Sequence, residues 1–355
     1  MATSVVPILI GLASFVASFL VPLVTRRVSL HRVLFLTQLG KTVLLAILFF
    51  VLSQSATISI FLLYLLVALI SLLDGFAAPV SYAIVPHYAQ DLVKANAALS
   101  MSSESIQLVG WGLGGLLFAS FGLHLSSLIV VGLFALATLL MMTLPPVRRE
   151  ELASETSLET LTKGWKLVVR EPKLRLIVQA NLLEILANTV WVSSVLLVFV
   201  TEILHQTESY WGYANTAYSL GILAGGFLVY RWSESILRHK WQSMVASLLA
   251  MAVVTVLVIG LPYPAVFLAL SLLVGFFSQV KEIPESVLVQ EGVDEADLVN
   301  VYSVLEVLST LAFSGFVFLV SAMTDRFGVV VSFWLAVACL LLEACLIFKQ
   351  KQYLD

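Results

Sequence analysis

Long apolar runs alternate with short polar breaks along this chain, and the runs have the length of membrane-crossing helices. Eleven stand out, at 5–24, 33–53, 58–80, 97–119, 124–144, 174–202, 210–231, 241–260, 264–284, 298–321 and 328–347. Each is close to the roughly 20 residues that carry an α-helix through a bilayer. One break is long, Pro145 to Lys173. Pro145 and Pro146 end the run before it, because proline lacks an N–H and restricts the residue ahead of it. Thr156 and Glu159 then fit a T-x-x-E capping box, which starts a helix. Leu158, Leu161, Trp165 and Val168 recur at helical spacing, so the pattern predicts an amphipathic helix lying on a membrane surface or against other helix ends. The break divides the chain into a five-span bundle at 1–144, a linker at 145–173 and a six-span bundle with a short tail at 174–355. The predicted fold class is an all-α membrane protein of two helical bundles.

Composition agrees with this picture and narrows the function. Hydrophobic residues make up 60% and charged residues 12% of the chain, with a mean hydropathy of +1.02, whereas soluble domains carry roughly 25% charge. The spans leave no length for a soluble domain, so function must sit inside the membrane. No basic patch suits a nucleic acid. Cys339 and Cys345 share one late apolar run, where neither a disulfide framework nor a zinc site is legible. His31, His87, His124, His205 and His239 fall in breaks or at span ends. Gly40-Lys41-Thr42 resembles the end of a P-loop, but Phe35 stands where the first glycine must be. No enzyme activity, cofactor or metal is expected.

Basic residues cluster in alternate breaks: TRRVSLHR (25–32), the linker, RWSESILRHK (231–240) and the tail. By the positive-inside rule these face the cytoplasm, which puts the linker and Asp355 inside and Met1 outside. The stretch from Lys281 to Val299 is expected as an acidic loop on the same inner side. A long-period repeat pairs PVSYAIVPHYAQDLVKANAAL (79–99) with PESVLVQEGVDEADLVNVYSVL (284–305). It aligns six spans of the second half with five of the first, and the expected missing partner precedes Met1.

An ionisable group inside a span is costly and therefore a functional candidate. Lys41, Asp74, Glu104, Glu184 and Glu306 qualify. Lys41 and Asp74 sit at similar depth on successive spans, most simply as an ion pair. Asn181, Glu184 and Asn188 form one polar stripe with Trp191 at its edge, and Glu104, Gln107 and Trp111 form another. Helix-to-helix hydrogen bonding accounts for the amides, but less well for two carboxylates. These stripes are expected to face a cavity, and the two carboxylates to exchange protons. Glu306 is a third such carboxylate, and Glu343, near a span end, is expected to snorkel. Asn215, Tyr218 and Gln279 either add polar cavity contacts or bond between helices. Gly110, Gly112, Gly114 and Gly115 are expected to allow close helix packing.

Three stretches carry a family resemblance: GWKLVVREPKLRLI (164–177), the loop PHYAQDLVKANA (86–97), and the G-W-G-L-G-G run at 110–115. Together the chain resembles the major facilitator superfamily, and within it the bacterial macrolide and siderophore exporters. Two positions depart from the family pattern. Thr25 stands where an Asp precedes the first Arg of the loop between the family's second and third helices, and Trp111 replaces the proline of the Gly-Pro-x-x-Gly-Gly antiporter signature. The resemblance implies a twelve-helix fold here lacking its first helix, and a monomer in the cell membrane. It also implies proton-coupled export of a drug-like or siderophore-like amphipathic molecule by alternating access, and a gating role for Gly110, Gly114 and Gly115. Lysolipid or lipid flipping on the same fold, and a non-transporting scaffold or truncated paralogue, are the other readings.

Overall fold

In the computed structural model the described residues are 2–54, 59–147, 156–191 and 193–354, and they are helical almost throughout. The helices are α1 (Ala2–Thr25), α2 (Leu30–Gln54), α3 (Ile60–Ala83), the single turn α4 (Val85–Tyr88), α5 (Leu92–Met141), α6 (Ser157–Arg170), α7 (Pro172–Asn188) and the short α8 (Ser193–Val198). They continue as α9 (Ser209–Arg231), α10 (Ser233–Arg238), α11 (Lys240–Gly260), α12 (Pro264–Gly292), α13 (Leu298–Phe327) and α14 (Val329–Lys349). The described parts of the expected stretches are helical except at some ends, such as Ser59, residues 142–144 and Gly328. Among the described residues, eight helices are long and apolar enough to cross a membrane, or nine if a bent pair beginning at Pro172 counts as one span. The stretches 97–119 and 210–231 are not among these helices. Both carry polar side chains, Glu104 and Gln107 on one and Asn215 and Thr216 on the other.

Two boundaries follow from single residues. α5 runs 50 residues but is broken at Gly122, whose φ of 67° lies in the left-handed region that only glycine enters without cost. The break falls in the expected FGL turn. α12 corrects the sequence reading: Pro284 and the charges around it suggest a helix end and an acidic loop from Lys281, yet the helix continues to Gly292. Proline removes one i→i−4 bond, and membrane helices tolerate this where neighbours enclose them. Ile283, Val287, Leu288 and Gln290 are all buried, so that condition is met.

By contacts the chain groups into two compact units. The first comprises Met1–Tyr88, Gly110–Leu167 and Asp294–Thr310, and the second Ala89–Val109, Val168–Val293 and Leu311–Asp355. This grouping departs from a contiguous division at 144 and 174, and buried contacts explain why. In the second unit, Val93 and Ala97 at the start of α5 share one apolar cluster with Val229, Ile283 and Val287. Asn96 and Gln290 also exchange side-chain hydrogen bonds of 2.7 and 3.3 Å. In the first unit, Ser303 of α13 donates to the Ser18 carbonyl of α1 at 2.6 Å.

The linker helix α6 starts at its capping box: Thr156 N donates to Glu159 Oε2 at 2.7 Å, and Glu159 N donates to Thr156 Oγ1 at 3.3 Å. Those bonds hold the exposed Glu159 carboxyl below its ordinary range. Of the expected apolar stripe, Leu158 is exposed while Leu161 and Trp165 are half-buried. Gly164 lies so close to the Asn300 carbonyl of α13 that a Cβ would collide with it. Within the first unit α6 therefore rests against a helix end, one of the two placements expected.

Candidate functional site

The site is built in the second unit from α7, α12 and α14. Pro172 begins α7 at a first-turn position, where its missing N–H costs nothing. Twelve residues on, this places Glu184 against α12, where Lys281 and Glu285 stand one turn apart. The Lys281 ammonium is completely buried and hydrogen-bonds to both Glu184 and Glu285. It also lies 3.1 Å from Glu343 Oε1 of α14, at ion-pair distance but without hydrogen-bond alignment. Both Glu343 oxygens and Glu285 Oε1 lack a hydrogen-bond partner among the described residues. Charged side chains cost ~2.5 to 3.5 kcal/mol each at the centre of a membrane helix, so these four would cost on the order of 10 kcal/mol if unpaired. One ammonium balances one carboxylate, and well-packed apolar residues would hold the helices as well.

Around this cluster lies a second polar layer. Ser100 of α5 donates to Gln279 Oε1 at 2.5 Å, and Gln279 Nε2 donates to Glu282 Oε2 at 2.9 Å. Tyr218 of α9 is half-buried, within electrostatic range of Glu104, Glu184 and Glu282. α9 can lie this close because Gly221, Gly225 and Gly275 remove side chains where the two backbones meet: a Cβ at Gly221 would strike the Leu272 carbonyl, and one at Gly275 the Tyr218 carbonyl.

One turn beyond Glu184, Asn188 lines a cavity of about 230 Å³ together with Trp191, Leu196, Ala214, Asn215, Tyr218 and Phe313. Trp191 is held by stacking on Phe267, with ring centroids 6.1 Å apart, and by an edge contact to Phe333 at 5.9 Å. Asn215 donates to the Trp211 carbonyl at 2.8 Å. An aromatic wall with two amides suits a solute that is apolar over most of its surface and polar at one place.

The structure distributes the sequence candidates unevenly. Glu184, Asn188, Trp191 and Asn215 join the cluster or the cavity. Asn181 is half-buried on α7 and does not line this cavity, Glu104 is half-buried beside Tyr218, and Gln107 is exposed. Glu306 is half-buried in the α13 segment that groups with the first unit. Lys41 Nζ lies 2.7 Å from Asp74 Oδ1, joining α2 to α3. One expectation is corrected. Glu343 does not snorkel: it is fully buried, because Lys281 supplies a counter-charge inside the protein. Among the described residues, a Cβ at Gly110 or Gly114 would meet nothing within 4 Å. The surroundings of Trp111, Gly112 and Gly115 lie outside the described side chains. Lys281, Glu282 and Glu285 escaped the sequence reading, although the i, i+4 spacing of Lys281 and Glu285 was available as a signal.

The sequence model of the Major Facilitator Superfamily matches residues 1–190 and 180–352. The chain belongs to that superfamily. It is similar to two MFS-type transporters of Bacillus subtilis strain 168. YfmI is 29% identical over 342 residues, covering 95% of this chain and 84% of the relative, and YjbB is 28% identical over 343 residues, covering 96% and 84%. Among solved structures, the fold resembles the Escherichia coli fucose:proton symporter FucP, with a TM-score of 0.78 at 13% identity over 98% of this chain and 90% of that one. It also resembles a bacterial homologue of the iron transporter ferroportin in its outward-facing state, with a TM-score of 0.73 at 15% identity over 99% and 90%. The MFS chain is thus an all-helical, multi-pass membrane protein of a transporter superfamily.

Proposed function

We propose that the protein is a secondary active transporter that exports an amphipathic small molecule in exchange for protons, by alternating access. The observation that carries this is the position of Glu184. It contacts the buried Lys281 ammonium, and one turn further on the same helix Asn188 lines the cavity. A proton taken up at Glu184 therefore changes the charge at one end of a short rigid segment whose other end touches solute. The carboxylates Glu184, Glu285 and Glu343 outnumber the one ammonium they share, so protons are the readiest means of balancing the cluster. Glu104, beside Tyr218, is a second proton-exchanging candidate. Asn188, Trp191 and Asn215 are the solute-contacting residues.

The family resemblance supports export and a macrolide-like or siderophore-like solute. The basic breaks support eleven spans, five and six, with the linker and the C-terminus in the cytoplasm of a monomer in the cell membrane. The test is a growth-inhibition panel of macrolides, siderophores and lysophospholipids on cells with and without the gene. Protection against a macrolide or siderophore that an uncoupler abolishes is expected. Protection against lysophospholipid alone would assign the protein to lipid transport instead, and no protection in any arm would contradict export.

A further inference from the structure

Resting on the proton-coupled reading of Glu184, we propose that Lys281 is the positioning residue of the proton site: its ammonium is shared by Glu184, Glu285 and Glu343, and stays with the latter two when Glu184 takes up a proton. The geometry has the parts this needs. Nζ is fully buried and donates to two carboxylates on different helices, α7 and α12, while the third carboxylate, on α14, sits 3.1 Å away without an aligned hydrogen bond. An ammonium held by Glu184 alone would be left uncompensated in the interior once that carboxylate was protonated. Here it is not, because two acceptors remain.

The step is a proton addition. A proton from the aqueous side binds a carboxylate oxygen of Glu184, the Nζ–H···Oε2 hydrogen bond is released, and Nζ keeps its three hydrogens and turns to Glu285 and Glu343. No covalent bond of the protein breaks. Glu285 Oε1 and the Glu343 oxygens, which accept no hydrogen bond among the described residues, are the receiving groups. Release of Glu184 then frees the segment of α7 that carries Asn188. Pro284 lies between Lys281 and Glu285 and removes a helix hydrogen bond at that turn, which lets the receiving carboxylate shift.

Other groups face this cluster from each neighbouring helix. They are Glu282 on α12, bound through Gln279, Tyr218 on α9, Glu104 on α5 and Cys339 on α14. α11 offers only Lys240 at its first position, which pairs with Glu291. None of these supplies a second positive charge to the cluster, so among them only the ammonium of Lys281 favours the ionised form of Glu184 by its charge.

The test needs no transported compound. Purified full-length protein in lipid nanodiscs is titrated while the infrared carbonyl stretch of protonated carboxyl groups is followed. The step lost in Glu184→Gln identifies Glu184, and failure of that variant to remove any step overturns the proposal. Lys281→Met should raise the Glu184 midpoint by about one pH unit or more, a tenfold or greater gain in proton affinity, and Lys281→Arg should return it close to the wild-type value. If Lys281→Met does not fold, the isosteric Glu285→Gln takes its place: by committing the ammonium more fully to Glu184, it should lower the midpoint by about half a unit. A midpoint unmoved in the folded variant overturns the proposal. Because neither solute nor gradient enters the titration, a shifted midpoint in a protein that transports nothing would refute the transport reading and leave this one standing. Gradient-driven transport with an unmoved midpoint would do the reverse.

Discussion

The buried Lys281 ammonium organises the chemistry of the second unit, and the Lys41–Asp74 ion pair crosses from α2 to α3 in the first. The Lys41–Asp74 pair joins a mostly covered ammonium, 14% exposed, to a carboxylate that is 57% exposed. Its charges are costly apart and cheaper together. Lys41→Ala and Asp74→Ala should therefore each lower the yield of folded protein, and the double variant should lower it less than the sum. Strictly additive losses in that double-mutant cycle would show that the two side chains do not act as a pair. Glu184 was legible from sequence because Asn181, Glu184 and Asn188 repeat on one helical face within an apolar run. Lys281 was not, because its neighbours Glu282, Pro284 and Glu285 read as a polar loop. Only the packing of Ile283, Val287 and Leu288 shows that the segment is enclosed. Glu343 was misplaced for a related reason: its counter-ion lies on another helix, which spacing within one run cannot reveal.

At the scale of helices, the pairing of α9 with α12 depends on the missing side chains of Gly221, Gly225 and Gly275. Gly275→Val forces a branched side chain against the Tyr218 carbonyl and should destabilise the protein by about 1–3 kcal/mol. Thermal unfolding of the purified variant in detergent measures this, and Gly110→Val, where the space is open, is the control that should change little. The start of α6 was fully legible, since a capping box needs only two residues at fixed spacing. Its Glu159 carboxyl is held below the ordinary range by the Thr156 backbone N–H and hydroxyl. A depressed carboxylate stabilises the fold above its unfolded value and loses that contribution as pH falls through the folded one. The first turn of α6 should accordingly stay protected at neutral pH and loosen only below the ordinary carboxylate range. Hydrogen exchange of residues 157–160 against pH follows it, and Thr156→Ala should remove the pH dependence. The break in α5 was legible as the FGL turn between two expected runs, and the structure places it at Gly122, whose positive φ changes the chain's direction while helix continues on both sides.

For the molecule as a whole, the helical membrane architecture was written in apolar run length, whereas the grouping into units was not. Val93, Ala97, Asn96 and Ser100 pair with residues more than 130 positions away, and no local pattern marks such partners. Orientation is the first whole-molecule prediction. With Cys339 and Cys345 replaced by Ser, a Gln352→Cys variant in intact cells should react with a membrane-impermeant thiol reagent only after permeabilisation. Reaction in intact cells would place the tail outside. The most direct test of proton coupling through Glu184 is flux in proteoliposomes, using the macrolide or siderophore that the growth panel selects, with and without an imposed proton gradient. Wild-type protein is expected to accumulate the compound against its concentration only when the gradient is present. Glu184→Gln, folded and inserted to the same extent, should lose that accumulation while still equilibrating the compound downhill. Gradient-driven accumulation that persists in Glu184→Gln would contradict the assignment.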